Sequence, residues 1–223
     1  MISSLRYKSY QSYINSNDFV ETLTLPGIKH ILGLVWEAYD CLINDSNIVI
    51  DKQSHENEIT QELYTKILLL WRNSKLPIFF TRNIIPDKQY VDATMRKDKG
   101  EYPTIDICFR DPKKPQSYFG LECKKLLGIR KKNIQYYIDT GIGNYISGRY
   151  GSCSSQNAIA GYVMSGEIPK VVGRIINEIK KNSFISNLSL DKNSIHSQYI
   201  SRHVRESDNK DILLYHMLFD FTV

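Results

Sequence analysis

Apolar positions along the chain recur with two periods, and the alternation between them lays out the fold. From 27 to about 42, Ile28, Ile31, Leu32, Val35, Trp36 and Tyr39 return every three or four residues, which predicts a helix with one buried face. The same period runs from about 55 to 73 through Ile59, Leu63, Ile67, Leu70 and Trp71, behind an acidic start (Glu56, Glu58, Glu62) that suits the positive end of a helix dipole. A third amphipathic helix spans 168 to about 182, with Val171, Val172, Ile175, Ile176 and Ile179 inward and Lys170, Arg174, Lys180 and Lys181 outward. Residues 134–140 read as helix, interrupted at Gly141 and Gly143 and ended at Gly148. Short apolar runs predict strands at 77–81, extended by Ile84 and Ile85 until Pro86 stops it, and at 103–109, 118–124, 158–164, 199–205 and 212–221. The polar, proline-bearing or highly charged stretches 44–52, 87–101, 110–117 and 183–197 read as loops. Residues 1–24, rich in Ser, Tyr and Asn, are expected to form an arm ahead of one domain over 25–223. This order of elements predicts an α/β fold, a mixed sheet with helices.

Two of the strands carry the chemistry. The first is Pro103-Thr-Ile-Asp106-Ile-Cys-Phe109 and the second is Tyr118-Phe-Gly-Leu-Glu122-Cys-Lys124. Strand side chains alternate between faces. Phe119, Leu121 and Cys123 therefore point one way and Gly120, Glu122 and Lys124 the other. Ile105, Ile107 and Phe109 are expected on one face, with Asp106 opposite beside Thr104 and Cys108. Paired antiparallel across a hairpin loop at 110–117, the strands bring Asp106, Glu122 and Lys124 together. Two carboxylates and an ammonium suit a divalent cation and phosphodiester chemistry.

Charge sharpens this picture. Between Arg110 and Lys132, eight basic residues face only Asp111 and Glu122, so the basic excess of a chain of net charge +5 is concentrated around the paired strands. The 42% hydrophobic and 24% charged fractions are those of a soluble globular protein, with no run of the roughly 20 apolar residues a membrane span needs. The N-terminal stretch lacks the apolar centre of a signal peptide, and four cysteines without CxxC spacing predict reduced core thiols and a cytoplasmic setting. No P-loop occurs, and Gly141-Ile-Gly143 is not a dinucleotide fingerprint because its third glycine is misplaced.

The helix with its acidic start, Asp106 behind Pro103, and Glu122-Cys123-Lys124 together resemble the PD-(D/E)XK nuclease superfamily, although proline and aspartate are not adjacent here. The stretch from Tyr137 through Gly141-Ile142 to Gly148-Arg-Tyr150, and then Gly161-Tyr-Val163, is similar to the same superfamily. The resemblance implies a restriction-endonuclease-like mixed sheet flanked by helices, over roughly 55–220. It implies Glu58, Asp106, Glu122 and Lys124 as catalytic residues, with Glu62 the other choice for the helical glutamate. It implies Mg²⁺ or Mn²⁺ on Asp106, Glu122 and the Cys123 backbone carbonyl, and phosphate contacts from Lys125, Arg130, Lys131 and Lys132. The expected partner is nucleic acid, DNA first. A role in antiphage defence or restriction, beside a separate ATPase, helicase or other defence subunit, is compatible with this, as is a homo-oligomer. The alternative is a catalytically silent binding or assembly subunit on a nuclease-like fold.

Other polar and aromatic residues have weaker claims. Gln156 is weighed as a residue orienting the site against a turn residue, and Arg149 and Tyr150 as nucleic-acid contacts against an exposed loop pair. His216 reads as a hydrogen-bonded core histidine, and Trp36 and Trp71 as core residues.

Overall fold

The computed structural model describes residues 25–73, 76–92, 101–151, 153–181, 188–192, 194 and 196–222; the expected arm at 1–24 lies outside them. Helices α1 (Leu25–Ile43) and α2 (Glu56–Asn73) fall where the periodicity places them. The run after Pro77 does not form the expected strand. Pro77 stands just ahead of a short helix, α3 (Ile78–Asn83), and extended backbone resumes only at Ile84. Strand β1 (Ile85–Val91) then runs through Pro86 into the expected loop. As an edge strand it pairs only with β2 (Thr104–Asp111), so a missing N–H can be tolerated.

Strand β3 (Lys114–Leu127) is longer than expected, which shrinks the predicted hairpin loop to Pro112 and Lys113. Asp111 accepts the Lys113 N–H at 2.8 Å to make the tight turn. A helical segment follows in three parts: α4 (Lys131–Tyr136), a π turn (Tyr137–Ile142) and α5 (Gly143–Ile146). Gly141 and Gly143 are accommodated in this segment instead of interrupting it. Then come β4 (Gln156–Ser165), α6 (Ile168–Ile179), β5 (Ser189–Leu190), β6 (Gln198–Val204) and β7 (Asp211–Asp220).

The seven strands form one mixed sheet in the order β1-β2-β3-β4-β7-β6-β5. The central pairs β3–β4 and β4–β7 are parallel and the others antiparallel. A layer of helices covers each face. On one side α1 and α2 bury Ile31, Val35, Trp36, Ile59, Leu63 and Ile67 against Phe109, Phe119, Leu121, Tyr162 and Phe219. On the other, the α4–α5 segment and α6 bury Ile134, Tyr137, Ile138, Val171 and Ile175 against Leu126, Ile159, Val163 and Leu218. At ~25 cal/mol per Å² of apolar surface, these two layers are the main favourable contribution to folding. Among the described residues, no helix is long and apolar enough to cross a membrane. No disulfide joins the cysteines; Cys108 and Cys123 are buried and Cys41 and Cys153 exposed.

Candidate active site

The site lies where two strands part. The β2–β3 ladder ends at the Ile107–Leu121 pair, while β3 continues against β4 from Leu121 onward. Beyond that point the backbone donors of β3 on the β2 side lose their strand partner, and buried donors must find another. Two carboxylates supply it. Asp106 Oδ2 accepts the Cys123 N–H at 2.7 Å, and Glu56 Oε2 accepts the Lys125 N–H at 2.6 Å. Asp106 thus stands in for a missing ladder bond. The parting also breaks the expected alternation: Ile107 and Phe109 pack with α1 and α2, but Ile105 packs on the opposite face. Gln89, next to the residue that pairs with Ile105, has a positive φ of 51°, which marks the local twist.

Lys124 reaches into this gap. Its Nζ lies 2.6 Å from Glu122 Oε1, 2.9 Å from the Cys123 carbonyl oxygen and 3.7 Å from Glu56 Oε1. The π turn supports its stem, since a Cβ added to Gly141 would come to 3.7 Å from Lys124 Cγ. Glu122 is 4% exposed, and its Oε2 is buried without a hydrogen-bond partner. Burial, and then the neighbouring Asp106 charge, push the Glu122 carboxyl up to about 8. Burial likewise raises Asp106 and Glu56, against the pull of Lys124. For Lys124 burial acts downward, yet Glu122, Asp106 and Glu56 together hold its ammonium above the ordinary lysine range. Three carboxylates share one ammonium, and this set is short of positive charge.

The structure brings together Asp106, Glu122, Lys124 and the Cys123 carbonyl from the expected set. Glu58 is not brought to them. It sits three residues after His55, which precedes the helix, and its Oε2 accepts the His55 N–H at 2.8 Å, as in one half of a capping box. Glu62 lies with Glu58 beside Asn47, Ile48 and Ser54, around a separate recess. The helical glutamate at the cluster is Glu56. The sequence held a signal for it: Glu56, Thr60, Leu63 and Ile67 fall on one helical stripe, and all but Glu56 are buried. Thr60 fixes that stripe to the sheet through a 3.0 Å hydrogen bond with the Tyr162 hydroxyl.

The proposed phosphate contacts divide. Arg130, Lys131 and Lys132 are exposed. Lys125 instead donates to the backbone oxygens of Lys52 and Ser54 at 2.8 and 2.6 Å, bracing the loop ahead of α2. Gln156 accepts from the Tyr215 hydroxyl at 2.9 Å, away from the cluster. Tyr150 is buried, its ring meeting Tyr145 edge-on at 5.7 Å, so it is not half of an exposed pair. Tyr145 went unnoticed in the sequence. It is fully buried, and a Cβ on Gly120 would come to 3.0 Å from its hydroxyl, so the glycine makes room for it.

Hard oxygen donors and an orphaned buried carboxylate oxygen fit Mg²⁺ or Mn²⁺ chemically. Among the described residues, no three His, Cys, Asp or Glu side chains gather as a metal-binding group. The candidate set is two side chains plus a main-chain carbonyl, in which Asp106 Oδ2 accepts the Cys123 N–H and the Cys123 carbonyl accepts from Lys124. No family model, no curated protein and no solved structure matches the chain.

Proposed function

We propose that this protein is a metal-dependent nuclease of the PD-(D/E)XK type, with a restriction-endonuclease-like fold, hydrolysing phosphodiester bonds in nucleic acid. One observation carries the reading: Glu122 Oε2 is buried and unpartnered within a cluster of three carboxylates that share a single lysine. An unpartnered carboxylate oxygen costs roughly 1–3 kcal/mol or more, which a bound cation would recover. Asp106, Glu122 and the Cys123 carbonyl would hold Mg²⁺ or Mn²⁺, and Glu56 would act one shell further out. Such an ion, when bound, lowers the pKa of coordinated water and screens the phosphate's charge. Lys124 supplies the other half. Its ammonium, kept charged by three carboxylates, orients the attacking water and meets the charge that builds on the phosphate. Exposed Arg130, Lys131 and Lys132 hold the backbone of the nucleic acid, an affinity that falls as salt rises.

The test is cleavage of linear, circular and single-stranded DNA with Mg²⁺ or Mn²⁺. Activity is expected to disappear with a chelator and in Lys124→Ala and Asp106→Ala, each checked for folding by circular dichroism. Undiminished cleavage in those variants would refute the site. The competing reading, a silent binding or assembly subunit, draws on the 2.6 Å Lys124–Glu122 pair, which neutralises Glu122 from within. Calorimetry separates the two: absence of Mn²⁺ uptake, or uptake indifferent to Glu122→Gln, would favour the silent subunit.

A further inference from the structure

The rim of the cluster carries an aromatic ring that the hydrolytic reading leaves unused. Tyr136, the last residue of α4, is 49% exposed, whereas its neighbours Tyr137 and Ile138 are buried. A single exposed ring is ordinary by itself, and what sets this one apart is its place beside the charged cluster. The ring also touches the chemistry: Lys124 Nζ lies 5.7 Å from its centroid. The ammonium lies over the ring, and about half of the residue's surface is still exposed to solvent.

The surroundings narrow the occupant. Lys132 stands four residues before Tyr136, so both lie on the same face of α4, and Lys132 is exposed. Arg130 and Lys131 continue the basic run, and Ile129 beside them is 54% exposed. The change to a π turn comes directly after Tyr136, and such turns often mark functional positions. An exposed aromatic face between basic side chains and a phosphate-directed lysine is the composition of a single-strand platform. There the charges follow the backbone and a base stacks on the ring. A paired base inside a duplex has both faces covered by its neighbours and offers none to Tyr136.

We propose that Tyr136 is a stacking platform for an unpaired base next to the reacting phosphate, and that the site takes single-stranded nucleic acid or a frayed end. This rests on the nuclease reading for the position of the phosphate, but not for its test. Binding of fluorescent single- and double-stranded 20-mers is measured by anisotropy in EDTA, where no turnover is needed. The expected results are tighter binding of the single strand, a loss of about tenfold in Tyr136→Ala confined to it, and near-normal binding in Tyr136→Phe, which keeps the ring. Equal losses for single strand and duplex, unchanged single-strand binding in Tyr136→Ala, or no binding by the unmodified protein would each overturn the proposal. Cleavage by Tyr136→Ala is read alongside. Cleavage by the unmodified protein with unchanged single-strand binding in the variant would remove the platform and leave the nuclease standing. Stacking without any metal-dependent cleavage would do the reverse.

Discussion

Glu56 and Glu58 are two residues apart on one helix, and a difference of about 200° around its axis separates their roles. Glu58 faces back to the His55 N–H, whereas Glu56 faces the sheet and binds the Lys125 N–H. Under the nuclease reading, Glu56→Gln is expected to reduce metal-dependent cleavage about 10- to 100-fold, the usual penalty for losing an outer-shell partner. Glu58→Gln should leave cleavage unchanged and cost at most about 0.5–1 kcal/mol through its cap, visible as a small drop in the urea midpoint. The opposite ranking would return the helical glutamate to Glu58. Asp106, Glu122 and Lys124 could be found from sequence because strand alternation and one hairpin suffice to bring them together. Glu56, Glu58 and Glu62 all fall in the acidic start of a helix expected from about 55, and the family pattern does not say which of them faces the sheet; only the stripe shared with Thr60, Leu63 and Ile67 singles out Glu56.

Among the elements, the loop after α5 is held from a distance. Arg205, 1% exposed, donates from Nη1 to the Gly151 carbonyl at 2.8 Å and from Nη2 to the Ser154 carbonyl at 2.9 Å. The Gly151 N–H donates to the Tyr118 hydroxyl, which in turn donates to buried Asp92 at 2.8 Å. The end of β1, the middle of β3 and the β6–β7 hairpin thus converge on one loop that carries Tyr150. Arg205→Met is expected to destabilise the protein by about 2 kcal/mol, because it leaves the buried Ser154 carbonyl without its donor and the Gly151 carbonyl with only the Ser154 N–H. Amide exchange at Gly151 and Ser154 should quicken well beyond the global change; uniform quickening would deny the clamp. None of this was readable, since an arginine at the end of an expected strand looks like a surface residue. The long periodic helices and buried β4 were legible, as the helical patterns exceed two turns and β4 is an unbroken apolar run. The run at 77–81 failed for the opposite reason: its apolar core of Ile78, Phe79 and Phe80 is too short to tell helix from strand. The proline of β3, Pro115, misled because it falls in the irregular stretch between the Arg110–Tyr118 and Asp111–Lys114 pairs, where a missing N–H does no harm.

Across the whole molecule, one buried chain of hydrogen bonds ties the π turn to the far strands. The Tyr137 hydroxyl meets His216 Nδ1 at 2.8 Å, His216 Nε2 meets Ser201 Oγ at 2.7 Å, and Ser201 Oγ meets His203 Nε2 at 2.6 Å. A single neutral tautomer of His216 satisfies both of its neighbours: the tyrosine donates to Nδ1, and Nε2–H donates to the serine. Burial, and then the nearby His203, depress the His216 pKa to about 3 from its ordinary 6.5. The unfolded chain therefore binds a proton below pH 6.5 that the folded chain refuses until near pH 3. The stability tied to neutral His216 is complete above pH 6.5 and is lost as pH falls toward 3. The slope approaches about 1.4 kcal/mol per pH unit for this one group. His216→Gln keeps polar contacts without a titrating ring, so its unfolding free energy should lose that part of the acid dependence. Urea unfolding at pH 7.5, 6, 5 and 4 reads the difference directly. Parallel curves for the two proteins would mean that folding does not depress the His216 pKa. Diverging curves would show that the π turn, which packs against Lys124, is fixed to β6 and β7 through an uncharged histidine. Acid would then loosen the candidate active site from behind, apart from any titration within its carboxylates.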